Sequence, residues 1–207
     1  MKRAAALLAA VASLAAHAGR PLSTEDASVL PDHACQVEAW IDRSREGTTS
    51  WMVPACNFGG GIEWQAGFAR TESYVQAKTV LRQPSDSDWG FGFIVGLAEK
   101  NPYVTVPVTF QLTAKSTAHA NLGWIRDRES RRDAVTWGAG AEHELTDRLV
   151  VLAEAFGTQR EKPFLRVGAR FVAIRKRLDL DLTAVTRSGG AARDRYVSLG
   201  LTWQVLP

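Results

Sequence analysis

The sequence predicts an all-β protein: a single antiparallel up-and-down transmembrane β-barrel of about twelve strands, following an export signal. Three observations carry that expectation. Trp89 to Thr113 holds two adjacent runs of strict period-2 alternation. Amphipathic runs of similar length, separated by turn residues, recur from Cys35 to Val205. The first 18 residues have the composition of a secretory signal peptide.

In the first run Trp89, Phe91, Phe93, Val95 and Leu97 share one parity, and Gly90, Gly92, Gly96 and Ala98 fill most of the other. After a turn at Lys100-Asn101-Pro102, Val104, Val106, Val108, Phe110 and Leu112 alternate with Tyr103, Thr105, Thr109, Gln111 and Thr113. Period-2 alternation marks strands with one apolar face and one small or polar face. A lipid-facing barrel would turn the apolar face outward. A soluble sandwich would bury it between two sheets.

At the N-terminus, Lys2 and Arg3 precede the apolar stretch 4–15, and Ala16-His17-Ala18 is a cleavage signal, so residues 1–18 read as a removable signal peptide. The apolar stretch is too short to cross a bilayer as a helix. Without Lys2 and Arg3 the formal charge of +3 falls close to neutrality, which leaves no basic footprint for a nucleic acid. Residues 19–33 contain Pro21 and Pro31 and no clear period. They read as an irregular lead-in on the periplasmic side, tucked under or into a barrel formed by residues 34–207.

Cys35 and Cys56 are the only cysteines, and an exported chain favours pairing them. Cys35–Arg43 and Thr48–Cys56 read as strands around a Ser44-Arg45-Glu46-Gly47 turn. If Ser44 faces Gly47, the register sets Cys35 opposite Cys56, close enough for a disulfide. No Cys-x-x-Cys or basic activator suggests a redox pair.

The remaining strands follow at Gly61–Arg70, Tyr74–Arg82, Ala118–Arg126, Ala134–Glu144, Arg148–Thr158, Phe164–Ala173, Leu178–Thr186 and Arg195–Val205. No run after the signal reaches the length of a transmembrane helix. The polar parity collects Glu38, Glu63, Lys78, Arg82, Glu142, Glu144, Arg166, Arg170, Asp179 and Asp181. In a barrel these face a lumen and need partners, because unpaired buried charge is costly. A tight turn at Arg175-Lys176 aligns Arg170 with Asp181 and Val172 with Asp179. Arg166, Arg170, Asp179 and Asp181 then form a cross-strand set of opposite charges. That set is either a polar constriction for solutes or internal neutralisation of a narrow barrel. With both termini periplasmic, Arg126, Arg128, Arg131, Arg132, Arg193 and Arg195 lie on outer loops. There they form either a basic rim for lipopolysaccharide phosphates or a solvated surface.

Arg20-Pro21-Leu22-Ser23-Thr24-Glu25-Asp26-Ala27 and Cys35-Gln36-Val37-Glu38-Ala39-Trp40 resemble the start of proteobacterial outer-membrane barrels of the phenol meta-pathway type. Val53-Pro54-Ala55-Cys56-Asn57 and Gln76-Ala77-Lys78-Thr79 resemble a short branch of that group. The resemblance implies an outer-membrane barrel passing small solutes, aromatic compounds among them, with no catalytic residues and no cofactor. The chain departs from the group in its shortness and small loops, which argues against a wide channel.

Enzyme chemistry has little support. Ser116, His119 and Asn121 lie together in sequence, faintly like the His/Ser site of outer-membrane lipid A deacylases, but Asn121 stands where the serine two residues after the histidine belongs. Ser116 is expected in a turn, away from a base it could use. His143 lies between Glu142 and Glu144, and alternation puts it on the opposite face from both, so the three cannot share a metal. The sequence therefore leaves two main readings: a small-solute channel, or a closed structural or lipopolysaccharide-interacting barrel.

Overall fold

A computed structural model describes residues 20–84, 88–191 and 194–206. The expected signal peptide, residues 1–18, and Arg193 fall outside the described residues. The strands are β1 (Cys35–Ser44), β2 (Thr48–Asn57), β3 (Ile62–Phe68), β4 (Ser73–Arg82), β5 (Trp89–Ala98), β6 (Asn101–Thr113), β7 (Ser116–Asp127), β8 (Arg132–Thr146), β9 (Leu149–Thr158), β10 (Phe164–Ile174), β11 (Leu178–Arg187) and β12 (Arg195–Leu206). Each pairs antiparallel with its sequence neighbours, and β1 pairs with β12 to close the barrel. The closed order rules out a two-sheet sandwich. Closure leaves no edge strand, which a chain in lipid requires because nothing there can satisfy a free backbone donor.

The alternation decides which face is which. Leu122 is 63% exposed, Leu199 61%, Trp203 56% and Val95 56%, whereas Gln76, Lys78, Glu142 and Asp181 on the other parity are buried. The apolar face is therefore the outside of a membrane-spanning barrel, and the polar face is its interior.

The first hairpin forms as its index sum requires. Ser44 N–H donates to Gly47 O at 2.9 Å, Cys35 lies opposite Cys56, and the two form a disulfide. It staples the strand that closes the barrel to its neighbour. Arg170 opposes Asp181 and Val172 opposes Asp179; the register then shifts before Ile174. The turn there spans Arg175–Arg177, one residue longer than expected, with Lys176 at a φ of 60°. The β5–β6 turn is shorter than expected. Only Glu99 and Lys100 lie between Ala98 and Asn101, and Glu99 takes a φ of 59°, so Asn101 and Pro102 belong to β6.

Arg82 does not face the lumen. Leu81 is an extra residue between Val80 and Arg82 in the pairing with β5, and this bulge reverses the parity at the end of β4. The Arg82 guanidinium lies 4.4 Å from the Trp89 ring centroid and 2.5 Å from Asp88, with its side chain 44% exposed.

Replacing Cys35 and Cys56 together with serine is expected to leave a folded barrel that is about 3 kcal/mol less stable, the usual worth of a cross-link over a loop of this length. The check is the temperature at which the detergent-solubilised protein converts to its slower, unfolded gel form. It should fall without loss of the folded band.

Candidate functional site

The interior is occupied by the lead-in. Residues 20–30 run around the inside of the barrel and bond to the wall in succession. Arg20 pairs with Asp181 of β11 at 2.8 Å, donates to Ser198 of β12 at 2.7 Å, and its N–H donates to Glu38 of β1 at 3.2 Å. Arg166 of β10 donates to Pro21 O. Ser23 and Thr24 N–H donate to Glu154 of β9 at 2.8 and 2.9 Å. With its amide turned to satisfy both groups, Asn121 of β7 accepts from Glu25 N at 2.6 Å and donates to Glu25 O at 2.8 Å. Ala27 N–H donates to Thr109 of β6 at 2.8 Å, Lys78 of β4 pairs with Asp26 at 2.6 Å and Glu25 at 3.1 Å, and Leu30 N–H donates to Glu63 of β3 at 2.8 Å. An irregular segment has no ladder of its own, so wall side chains supply its partners.

The interior glycines leave room for it. A Cβ on Gly138 would come within 2.6 Å of Thr24 Oγ1, and one on Gly200 within 2.7 Å of both Arg20 Nε and Asp181 Oδ2. At Gly67 the missing side chain is replaced by the ring of Tyr74, its cross-strand partner.

The residues expected to face the lumen separate clearly. Glu38, Glu63, Lys78, Glu142, Arg166, Arg170 and Asp181 are all buried on the interior parity, and Asp179 is half-buried on the same parity. Arg82 is on the outside. The expected β10–β11 set keeps its register, yet its ion pairs reach further. Arg166 pairs with Glu154 at 2.9 Å, Arg170 with Glu142 at 2.9 Å, and Asp181 with Arg20 of the lead-in. Arg126, Arg128, Arg131 and Arg132 are exposed around the β7–β8 loop, and Arg195 is exposed at the start of β12. All of them lie at the end away from the termini.

The sequence reading left open whether the lead-in lies under or inside the barrel, and the structure has it inside. It missed Glu154 and, apart from Tyr103, the interior aromatics. Trp40, Trp51, Tyr74, Tyr103, Phe156, Phe164 and Tyr196 share the interior parity and lie in the half of the barrel far from the termini. Trp40 and Trp51 are cross-strand partners stacked at 5.6 Å and 14°, and Trp51 lies 6.1 Å from Tyr74. The signal was in the register: Trp40 is two residues from Glu38, and Tyr74 two from Gln76.

Between the lead-in and the β1–β4 wall remains a cavity of about 360 Å³. Its lining includes Gln36, Glu38, Trp40 and Asp42 of β1, so it follows that strand over seven residues, roughly 20 Å. Trp51, Gln65, Tyr74 and Tyr196 line its far part, and Glu63 and Leu30 the part near the termini.

No cluster of three or more metal-ligating side chains occurs among the described residues. Ser116 is the first residue of β7 and not a turn residue. Its Oγ lies 2.9 Å from Nδ1 of His143, while His119 is buried inside and hydrogen-bonded to Thr109 at 3.0 Å. Ser116 and His119 therefore face opposite sides of the wall.

The closed ladder, apolar exterior and charged lumen define a barrel of the porin fold. The KdgM porin matches with a TM-score of 0.63 at 11% identity, over 81% of this chain and 98% of its own. The NanC porin matches at 0.62 and 9%, over 83% and 100%. One KdgM porin structure is a complex with disordered oligogalacturonate. At these identities the likeness is one of fold. Residues 5–205 match the family described as "Uncharacterised conserved protein UCP029691", and the chain belongs to that family. The match establishes this family and not membership of the phenol meta-pathway group. No curated protein matches the chain.

Gly200→Val is expected to displace the Arg20–Asp181 pair and loosen the lead-in while the barrel still closes. Cleavage after Glu25 by a glutamate-specific protease measures this in detergent. It should become several-fold faster, with no change in the heat-dependent gel shift.

Proposed function

We propose that this protein is an outer-membrane channel for small polar solutes, exported through the signal at residues 1–18, whose passage is narrowed by its own N-terminal segment. The observation that carries this reading is the cavity beside the lead-in. It reaches from Asp42, two residues short of the β1–β2 turn, to Glu63 and Leu30 near the opposite end. A barrel serving only as a closed structural element would have no use for a polar slot along most of its height. The porin fold supports the class of function, although fold alone transfers no solute. Aromatic compounds remain within the proposal because Trp40, Trp51 and Tyr74 offer flat apolar faces to whatever enters.

A second reading is favoured by one observation of its own. Arg126, Arg128, Arg131 and Arg132 cluster on a single loop at the far end, where lipopolysaccharide phosphates would be met. The two readings are compatible, since the loop stands outside the lumen.

Planar-bilayer recordings test the channel. The full-length mature protein should give small, discrete conductance steps. Lys78→Ala removes the cation held by Glu25 and Asp26 and should enlarge the steps by freeing the lead-in. Silence from both proteins, each shown to be folded by its gel shift, overturns the proposal in favour of a closed barrel.

A further inference from the structure

The cavity has a charge imbalance that its own side chains do not correct. Five carboxylates line it, on Glu25, Asp26, Glu38, Asp42 and Glu63, against three cations, on Arg20, Lys78 and Arg166. Two of those cations are already matched from outside the lining, Arg20 by Asp181 and Arg166 by Glu154. Lys78 serves both Glu25 and Asp26. Glu38, Asp42 and Glu63 make no salt bridge among the described residues. Glu38 accepts from Arg20 N and Gln36 Nε2, each at 3.2 Å, Glu63 from Leu30 N at 2.8 Å, and Asp42 from Trp40 Nε1 at 3.1 Å. Glu38 and Glu63 are only 5% and 7% exposed. Glu63 faces Lys78 across the β3–β4 pair, but that cation is shared with Glu25 and Asp26, so the buried acids outnumber the cations that serve them, which is expensive.

The same cavity has aromatic faces suited to a cation. Trp40, Trp51 and Tyr74 form a continuous interior wall, and a positive group over an indole face is attracted to it electrostatically. The chain already uses this wall in that way: the guanidinium of Arg20 sits 4.3 Å from the Trp40 centroid. An aromatic wall, three carboxylates without a salt bridge and a volume within the range of small-molecule sites occur together here.

We infer that the cavity beside the lead-in takes a small organic cation, an alkylammonium or guanidinium compound, held between the Trp40–Trp51–Tyr74 wall and the carboxylates of Asp42, Glu38 and Glu63. The inference deepens the proposed channel by naming its solute class and rests on that reading for passage, but not for binding. It also sets this barrel apart from the KdgM porin, whose bound oligogalacturonate is a polyanion. The arginines of the β7–β8 loop do not offset the surplus, because in the closed strand order that loop stands across the barrel from β1–β4. Glu38 also accepts from the backbone N–H of Arg20 and from Gln36, so the decisive variants are at Glu63 and Asp42.

The test is calorimetric titration of the full-length mature protein in a neutral detergent, with choline as the cationic probe, sodium galacturonate as the anionic probe and glucose as the neutral one. Choline should bind at least about tenfold more tightly than either of the others. Glu63→Gln keeps an oxygen for Leu30 N–H and Asp42→Asn keeps one for Trp40 Nε1, so both should fold, as the gel shift verifies. Each should weaken choline about tenfold, and Trp51→Leu should weaken it as well. Equal affinities, an anionic preference, absence of binding, or unchanged choline affinity in both carboxylate variants overturns the inference. Choline binding by a protein that passes no current removes the channel and leaves the cation site standing. Current without cation binding removes the site and leaves the channel.

Discussion

Burial of charge inside a closed wall governs most of this structure. A barrel in lipid has to present apolar side chains outward, and strict alternation then turns every second residue inward. The inward positions here carry Glu38, Glu63, Lys78, Glu142, Glu154, Arg166, Arg170 and Asp181. An unpaired charge in such a place costs several kcal/mol, so the wall alone is not self-sufficient. Part of the neutralisation is local, as in Arg166–Glu154 across β10 and β9. The rest comes from the lead-in, whose Arg20 serves Asp181 and whose Glu25 and Asp26 serve Lys78. Wall and lead-in each complete the other: the segment has no ladder to satisfy its backbone, and the wall has charges to spare for it.

Much of the wall was legible from alternation and turn chemistry. Every expected strand exists, and the Cys35–Cys56 and Arg170–Asp181 registers follow from index sums about tight turns. The errors lie where one residue breaks the period. Leu81 is such a residue, and reading through it places Arg82 inside when it lies outside against Trp89. An extra residue does the same at Ala173, lengthening the β10–β11 turn. Bulges carry no compositional mark, so parity counted from the middle of a strand loses its meaning past them.

The site was less legible, for two physical reasons. The lead-in forms no regular element, and period-based reading sees only regular elements. Its interior position depends on contacts with most of the strands, each contributing one or a few bonds. The aromatics were hidden by the rule that apolar residues face lipid. Trp40 and Trp51 follow the parity of Glu38 and Val53 into the lumen regardless of hydropathy, because register overrides composition once neighbouring strands are paired. Composition alone would have put both on the lipid face.

The same register argument bears on what the barrel can select. Strand number sets the diameter of the wall, so barrels as alike in fold as this one and the KdgM porin begin with similar space. What is then left open depends on what fills that space, and with which charges. Here the filling segment brings one arginine and two acids into the described lumen and leaves its slot beside β1–β4, where Glu38, Asp42 and Glu63 meet three aromatic rings. Had the segment lain against β1–β4 and left the slot beside β8–β11, the opening would have met Glu142, Glu154, Asp179 and Asp181 beside Arg166 and Arg170, with both arginines already paired to wall glutamates. Which carboxylates and which rings a solute meets therefore depends on the side of the wall the lead-in covers as well as on the wall's composition.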